Sequence, residues 1–229
     1  MPRTGRIVIA GYPHHVIQRG HNRQVVFTTE EDYRYYLGNL REWKERLGCR
    51  LYAYCLMANH VHLVVDPGER GENLALLMKR VAGRQTGFVN SREKRTGTLW
   101  EGRYRSSLVS TDDYFLACCR YVELNPVRNG IAADPAAYRW SSYAGKVGNG
   151  GEDWLDEHPI YQGLGTTVEE RQARYRDWAR AAAAEGELEL LRQAIQRGGL
   201  IGGSRFVEEI AARVGRRIEL RPPGRPKNK

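Results

Sequence analysis

Two histidines, His60 and His62, are separated by one residue in a stretch that reads HVHLVV. The apolar residues of this stretch predict a strand over 60–65, on which both imidazoles project from one face and Val61 projects from the other. The apolar face is expected to be covered by helices, so the histidines are expected on the open side of the sheet. Because imidazole nitrogen binds divalent metals, the pair is half of a candidate metal site. The alternative is a pair of unligated surface histidines.

A helix predicted over 112–124 carries the second group of candidate residues. Tyr121 and Asn125 are four residues apart and therefore lie on one face of this helix. An Asn amide oxygen is a suitable ligand for a hard cation, and Arg120 and Arg128 nearby suit a phosphate. The alternative for Tyr121 is ordinary core packing.

Hydrophobic periodicity indicates the elements that must position these residues. Strands are predicted over 14–19, 51–57, 60–65 and 103–109, and helices over 28–47, 72–89 and 112–124. Thr28 and Glu31 have the spacing of a capping box, and Pro126 is expected to end the third helix. The order β-α-β-β-α-β followed by a helix predicts an α+β fold. This fold is a ferredoxin-like antiparallel sheet core with the tyrosine-bearing helix and a helical C-terminal extension.

The chain of 229 residues is long enough for one substantial core with an appendage. We predict a catalytic domain over 1–145, a mainly helical extension over 146–215 and a basic tail over 216–229. Three helices are expected in the extension, over 167–184, 187–196 and 204–214.

Charge and composition narrow the classes of function. Lys and Arg number 36 against 27 acidic residues, a formal net charge of +9. The surplus is concentrated in residues 79–105 and 215–229, which favours a nucleic-acid partner. The N-terminal apolar run is too short for a secretory signal, and no apolar stretch predicts a membrane span. Four cysteines without a CxxC motif fit a reduced, intracellular protein, and the lack of a phosphate-binding glycine motif indicates no nucleotide cofactor.

Aromatic and basic residues alternate in the stretch LWEGRYR, a pattern suited to stacking on unpaired bases and contacting phosphates. An ordinary strand is the alternative. Basic and imidazole side chains also crowd the first strand and its loop, where His14 and His15 point to opposite faces, so at most one joins the histidine pair. The tail sequence GRP resembles an AT-hook, and a basic tail of non-specific affinity is equally compatible. The candidate DNA contacts are Arg19, Arg23, Trp100, Arg103, Tyr104, Arg105, Arg120, Arg128, Arg225 and Lys227.

The segments YCLMANHVHLVV, LWEGRYRSSLV and RYVELNPVRNG resemble the single-tyrosine HUH transposases, in particular the REP-associated tyrosine transposases. The segments HHVIQRGHNR, AAYRWSSY and GGLIGGSRFVEEI, with the PGRPK tail, fit the same family. The resemblance extends from about residue 5 to the end of the chain.

This resemblance implies a metal-dependent endonuclease and strand transferase in the bacterial cytoplasm, associated with the nucleoid, that acts on single-stranded or hairpin DNA of the REP type. His60 and His62 match the pair that binds Mg²⁺ or Mn²⁺, and Tyr121 matches the nucleophile that forms a 5′-phosphotyrosine. Asn125 occupies the place of a third polar ligand that is often Gln. The resemblance leaves a monomer or a homodimer open. A non-catalytic regulator of the same fold that binds hairpin DNA is the alternative.

Overall fold

The computed structural model describes residues 6–111, 113–150, 154–181 and 186–215. The predicted tail over 216–229, with Arg225 and Lys227, lies outside the described residues. Five strands form one sheet: β1 (His14–Arg19), β2 (Arg50–Met57), β3 (His60–Asp66), β4 (Arg105–Val109) and β5 (Leu200–Ile201). The helices are α1 (Glu30–Leu47), α2 (Glu72–Arg92), α3 (Asp113–Glu123), α4 (Asn125–Arg128), α5 (Tyr143–Lys146), α6 (Pro159–Gln162), α7 (Val168–Arg180), α8 (Glu187–Arg197) and α9 (Ser204–Val214).

The strand order β2-β3-β1-β4-β5 defines the architecture. The pairs β2–β3, β3–β1 and β1–β4 are antiparallel, whereas β4 and β5 are parallel. The first four strands with α1 and α2 therefore form the ferredoxin-like β-α-β-β-α-β arrangement, and the predicted α+β fold is confirmed. No helix within the described ranges is long and apolar enough to cross a membrane.

Helices α1 and α2 cover one face of the sheet. Val61, Leu63 and Val65 of β3 are fully buried in the cluster that these helices complete. The N-cap of helix α1 is Thr29, one residue after the predicted Thr28, and the Asp32 carboxylate accepts from the Thr29 N–H at 2.8 Å. The expected Thr28–Glu31 box is therefore replaced by its neighbour in the sequence.

The opposite face of the sheet is covered by α3 rather than open to solvent, so this part of the sequence prediction was wrong. Val64 of β3 and Cys55 of β2 pack there in one apolar cluster with Cys118 and Val122 of α3. Helices α7 and α8 add their own apolar side chains to the same cluster, Tyr175, Leu191 and Ile195 among them. The histidine face is therefore largely enclosed: His15 and His62 are buried, and His60 at the start of β3 is partly exposed.

The C-terminal extension wraps around the edge of the sheet at β4. Helix α8 packs with α3 on one face, β5 pairs with β4, and Phe206 and Ile210 of α9 pack with Leu108 and Ile9 on the other face. The strand β5 was not predicted. It has two residues between Gly198–Gly199 and Gly202–Gly203, too few to show a period of two.

The third helix of the core ends close to the predicted place but does not end the helical path. Helix α3 stops at Glu123, and after Leu124 the single-turn helix α4 begins with Asn125 and Pro126. Proline is tolerated here because the first positions of a helix need no backbone N–H donor. The short helix brings the Arg128 guanidinium back to the Tyr121 carbonyl of α3.

Candidate functional site

Strands β1 and β3 bring three imidazoles together. In the register of these strands, Arg19 lies opposite His60 and Ile17 opposite His62, so His15 shares the face of the histidine pair. The His15 Nε2 atom lies 2.9 Å from His62 Nδ1, and the ring centroids of His60 and His62 are 5.0 Å apart. His14 lies on the other face, which answers the question that alternation alone left open.

Burial keeps these imidazoles neutral. It lowers the pKa of His15 to about 3 and, with the charge of Arg19, that of His60 to about 4. Burial also lowers the pKa of His62 well below its usual value, with His15 next in effect. A neutral imidazole is the form that binds a metal ion, so the site needs no proton loss near neutral pH.

Tyr121 reaches the histidines from α3 of the same chain. Its ring centroid lies 6.2 Å from that of His62 and 6.2 Å from that of His15. The Arg128 guanidinium stacks over the tyrosine ring at 4.2 Å and donates a hydrogen bond to the Tyr121 carbonyl oxygen. The predicted nucleophile and the predicted histidine pair are therefore adjacent.

Asn125 is buried at the start of α4, and its side chain is already bonded. Its Oδ1 accepts at 2.6 Å from the Nδ2 of Asn129, the residue that follows α4. No group of three or more His, Cys, Asp or Glu side chains suited to a metal is found in the described ranges. The donor set is thus two neutral imidazoles and the Asn125 amide oxygen, which has a second lone pair beside the one that accepts from Asn129.

A basic rim surrounds the open end of this site. The end of β1, the β2–β3 turn and the segment before β4 meet there, since Gly20 donates to the Asn59 carbonyl and Glu101 donates to that of Arg19. Four guanidinium groups at this end are exposed to solvent: Arg19, Arg23, Arg103 and Arg105. Arg128 sits deeper beside Tyr121, and no carboxylate pairs with it among the described residues.

Three of the candidate DNA contacts are instead built into the protein. Trp100 is 5% exposed and donates from Nε1 to the Ala82 carbonyl, and Tyr104 is buried beneath the Arg6 guanidinium at 4.1 Å. Arg120 is 6% exposed, stacks on Trp178 at 4.3 Å and pairs with Glu187. These side chains present no free face to a base or phosphate, because α2, the N-terminal segment and the extension cover them.

A buried ionic cluster anchors the helix that carries Tyr121. The Glu123 carboxylate is fully buried, pairs with Lys146 at 3.1 Å, and accepts from the Ser142 hydroxyl at 2.6 Å and the Tyr175 hydroxyl at 2.5 Å. Lys146 and Tyr175 belong to α5 and α7, so this cluster fixes α3 to the extension. Glu123 faces away from the histidines and is fully engaged there, which removes it as a base for Tyr121.

Comparisons with known proteins place the chain in a family. Residues 9–125, just over half of the chain, match the family model described as transposase, IS200 like. The chain belongs to the IS200-like transposase family. A search of curated proteins gives no match.

Two solved structures are similar to this chain. One is a REP-associated tyrosine transposase bound to a REP hairpin, with a TM-score of 0.57, 15% identity, and coverage of 70% of this chain and 93% of that one. The other is a transposase from Deinococcus radiodurans R1, with a TM-score of 0.36, 18% identity, and coverage of 58% of this chain and 100% of that one. The first likeness supports the fold described above.

Proposed function

We propose that the protein is a metal-dependent, single-strand DNA endonuclease and strand transferase of the REP-associated type. The observation that carries this proposal is the Tyr121 ring, 6.2 Å from His62, beneath a guanidinium that has no acidic partner in the described ranges. A half-buried cation beside a phenol is suited to an incoming phosphate. Membership of the IS200-like family supports the same chemistry.

In the proposed reaction, the Tyr121 oxygen attacks the scissile phosphorus. The bond from phosphorus to the 3′ oxygen breaks, the phenol proton is lost to solvent and the 3′ oxygen gains a proton. The products are a 5′-phosphotyrosine and a free 3′-hydroxyl, and the reverse attack by another 3′-hydroxyl transfers the strand. Because the ester keeps the bond energy, no nucleotide cofactor is needed.

The protein's own side chains orient the DNA for this attack. Arg128 neutralises a phosphate oxygen next to Tyr121, and the exposed arginines of the basic rim hold the flanking backbone. His60 and His62, with the Asn125 amide oxygen, would hold Mg²⁺ or Mn²⁺, and such a cation supplies Lewis acidity at the phosphate. Neutral imidazoles fit this donor role.

We propose that Tyr121 and the histidine pair of the same chain form one active site. Support comes from the buried Glu123–Lys146 pair and from the apolar cluster that joins α3 to α7 and α8. Tyr121 already lies 6.2 Å from His62 of the same chain, so the site is complete without a helix from a second copy. A monomer then suffices for one cut.

Hairpin DNA is the proposed substrate, and the bacterial cytoplasm with its nucleoid is the proposed place of action. The similar REP-associated transposase was solved with a REP hairpin, and the basic rim is compatible with a strand leaving such a hairpin. The exposed rim sits beside the Tyr121 site rather than on a remote face.

The test uses hairpin-containing oligonucleotides from the DNA that flanks the gene, labelled at either end. With Mn²⁺, wild-type protein should form a covalent adduct on a denaturing gel that keeps the 3′ label, and EDTA should prevent it. Tyr121→Phe should abolish the adduct and leave hairpin affinity within about threefold, because it removes one hydroxyl.

Tyr114→Phe, two turns earlier on α3, is the matched control and should retain the adduct. An adduct that survives Tyr121→Phe would contradict the assigned nucleophile. Tight binding of the hairpin by wild-type protein without adduct under any divalent metal would favour the non-catalytic regulator.

A further inference from the structure

The His60 ring is held by a neighbour whose own orientation is fixed. Asn59 accepts at Oδ1 from His60 Nδ1 across 2.6 Å, and its Nδ2 donates to the Arg23 carbonyl at 3.3 Å. The second bond determines which end of the amide faces the imidazole, because only Nδ2 can donate. The proton of a neutral His60 therefore resides on Nδ1, and its Nε2 carries the free lone pair.

The His62 ring is held in the same way by a second imidazole. His15 Nε2 and His62 Nδ1 are 2.9 Å apart, and both rings are almost fully buried. In a neutral pair one nitrogen donates and the other accepts, which allows two arrangements. When His62 Nδ1 donates, His62 Nε2 has the lone pair; when His15 donates, His62 Nε2 carries a proton and cannot bind a cation.

The far nitrogen of His15 does not favour either arrangement. His15 Nδ1 is buried and has no hydrogen-bond partner in the part of the chain that the structure describes. It is an unpaired donor when His62 Nδ1 donates and an unpaired acceptor when His15 Nε2 donates. A cation at His62 Nε2 therefore selects the arrangement in which His62 Nδ1 donates to His15 Nε2.

We propose that His15 and Asn59 are positioning residues that orient the imidazoles of His62 and His60, and that they accept from the two Nδ1 atoms when both Nε2 atoms face one cation. The inference rests on the proposed function, since it concerns the histidine pair of that site. Partners of this kind orient metal-binding imidazoles and raise their basicity. Neither residue contacts DNA or the reacting phosphate in this role.

His14 provides a matched control for His15. It is the adjacent residue of β1 and equally buried, but it lies on the opposite face and accepts from the Ile9 N–H at 3.3 Å. Replacing either histidine by Phe substitutes a ring of similar size for one buried imidazole. Only the change at residue 15 removes the acceptor for His62.

The experiment measures Mn²⁺ binding to the metal-free full-length protein by titration calorimetry, with the free ion counted by electron paramagnetic resonance. His15→Phe should raise the Kd for Mn²⁺ about 10- to 100-fold, the range for loss of such a partner. His14→Phe should leave the Kd within about twofold of wild type. His15→Gln, which restores an acceptor near the former Nε2, should recover most of the affinity.

Asn59 is tested by a second pair of variants at a partly exposed turn. Asn59→Ala should weaken Mn²⁺ binding about tenfold, whereas Asn59→Asp keeps an oxygen acceptor and should bind within about threefold of wild type. In metal-free protein, long-range ¹H–¹⁵N spectra should assign the Nδ1–H tautomer to His60 in wild type. Mixed tautomers are expected for Asn59→Ala.

Two failures are distinguishable. Wild-type binding of Mn²⁺ with unchanged Kd in both His15→Phe and Asn59→Ala would overturn the positioning roles and leave the proposed function standing. No Mn²⁺ binding by wild type would overturn the metal site of the proposed function, and the positioning roles with it. If His15→Phe fails to fold, His15→Gln and the Asn59 pair still decide the outcome.

Discussion

Removing the Lys146 ammonium should destabilise the protein strongly, because it leaves the Glu123 carboxylate buried without its counter-charge. The two side chains are 10% and 0% exposed and 3.1 Å apart. Breaking a buried pair by removing one partner costs about 3–5 kcal/mol. Lys146→Met, which keeps the apolar stem, is therefore expected to lower the free energy of unfolding by about this amount.

The magnitude can be checked by melting and by urea titration. For a chain of this size, a loss of 1 kcal/mol lowers the Tm by about 2–4 °C, so Lys146→Met should melt roughly 6–20 °C below wild type. Adding Glu123→Gln should restore part of this loss, since the Ser142 and Tyr175 hydroxyls can still bond to a neutral amide. The double-mutant cycle should give a coupling energy of about 2 kcal/mol.

The control is an exposed pair on α1. Arg34 and Glu30 have side chains 62% and 60% exposed at 2.8 Å, and such surface pairs contribute under about 1 kcal/mol. Arg34→Met should therefore change the Tm by only a few degrees. Equal changes in Tm for Lys146→Met and Arg34→Met would refute the reasoning that Glu123 depends on a buried ion pair with Lys146.

Three further predictions concern DNA contacts and pH. Arg103 is exposed, so Arg103→Met should lower the slope of log affinity against log salt for single-strand binding by about 0.7, which corresponds to one phosphate contact. Arg120→Met should leave this slope unchanged and lower the Tm, because Arg120 is paired inside the protein. Deleting residues 221–229 should weaken binding and flatten the salt dependence; an unchanged slope would mean that the tail does not touch DNA. Burial lowers the pKa of His14 to about 4, below the unfolded value of 6.5. The unfolded chain therefore binds the extra proton, and the free energy of unfolding falls as the pH decreases from 6.5 to 4. His14→Phe should remove about 2 kcal/mol of this loss at about pH 5, as measured by urea titration.

The sequence predicts the bounds of a strand well where the run of apolar and β-branched residues is long enough to be recognised. The bounds 14–19 of β1 agree with the structure, and β3 differs by one residue. Apolar and β-branched residues bounded by turn residues make such strands readable. Strand β5 could not be read, because two residues between glycines carry no period.

The candidate site is predictable in its residues and less so in its surroundings. Alternation on one strand puts His60 and His62 on one face, and register with β1 is needed to add His15. The burial of Trp100, Arg120 and the histidine face depends on how α2, α7 and α8 dock. Such docking joins residues far apart in the chain, which a local pattern does not encode.

The histidine pair and Tyr121 are held in place by different contacts. Variants of these contacts should therefore affect Mn²⁺ affinity and adduct formation separately. Strand register and the partners His15 and Asn59 hold the histidines, whereas the Glu123–Lys146 cluster and α8 hold the helix of Tyr121. At a temperature well below its Tm, Lys146→Met should therefore keep the Mn²⁺ affinity of wild type and lose adduct formation. His15→Phe should weaken Mn²⁺ binding, and Lys146→Met should lower the Tm of the His15→Phe variant as much as it lowers that of wild type. If Lys146→Met weakened Mn²⁺ binding as much as His15→Phe, the histidines and the tyrosine helix would share one support, and the cluster would act on the sheet as well as on α3.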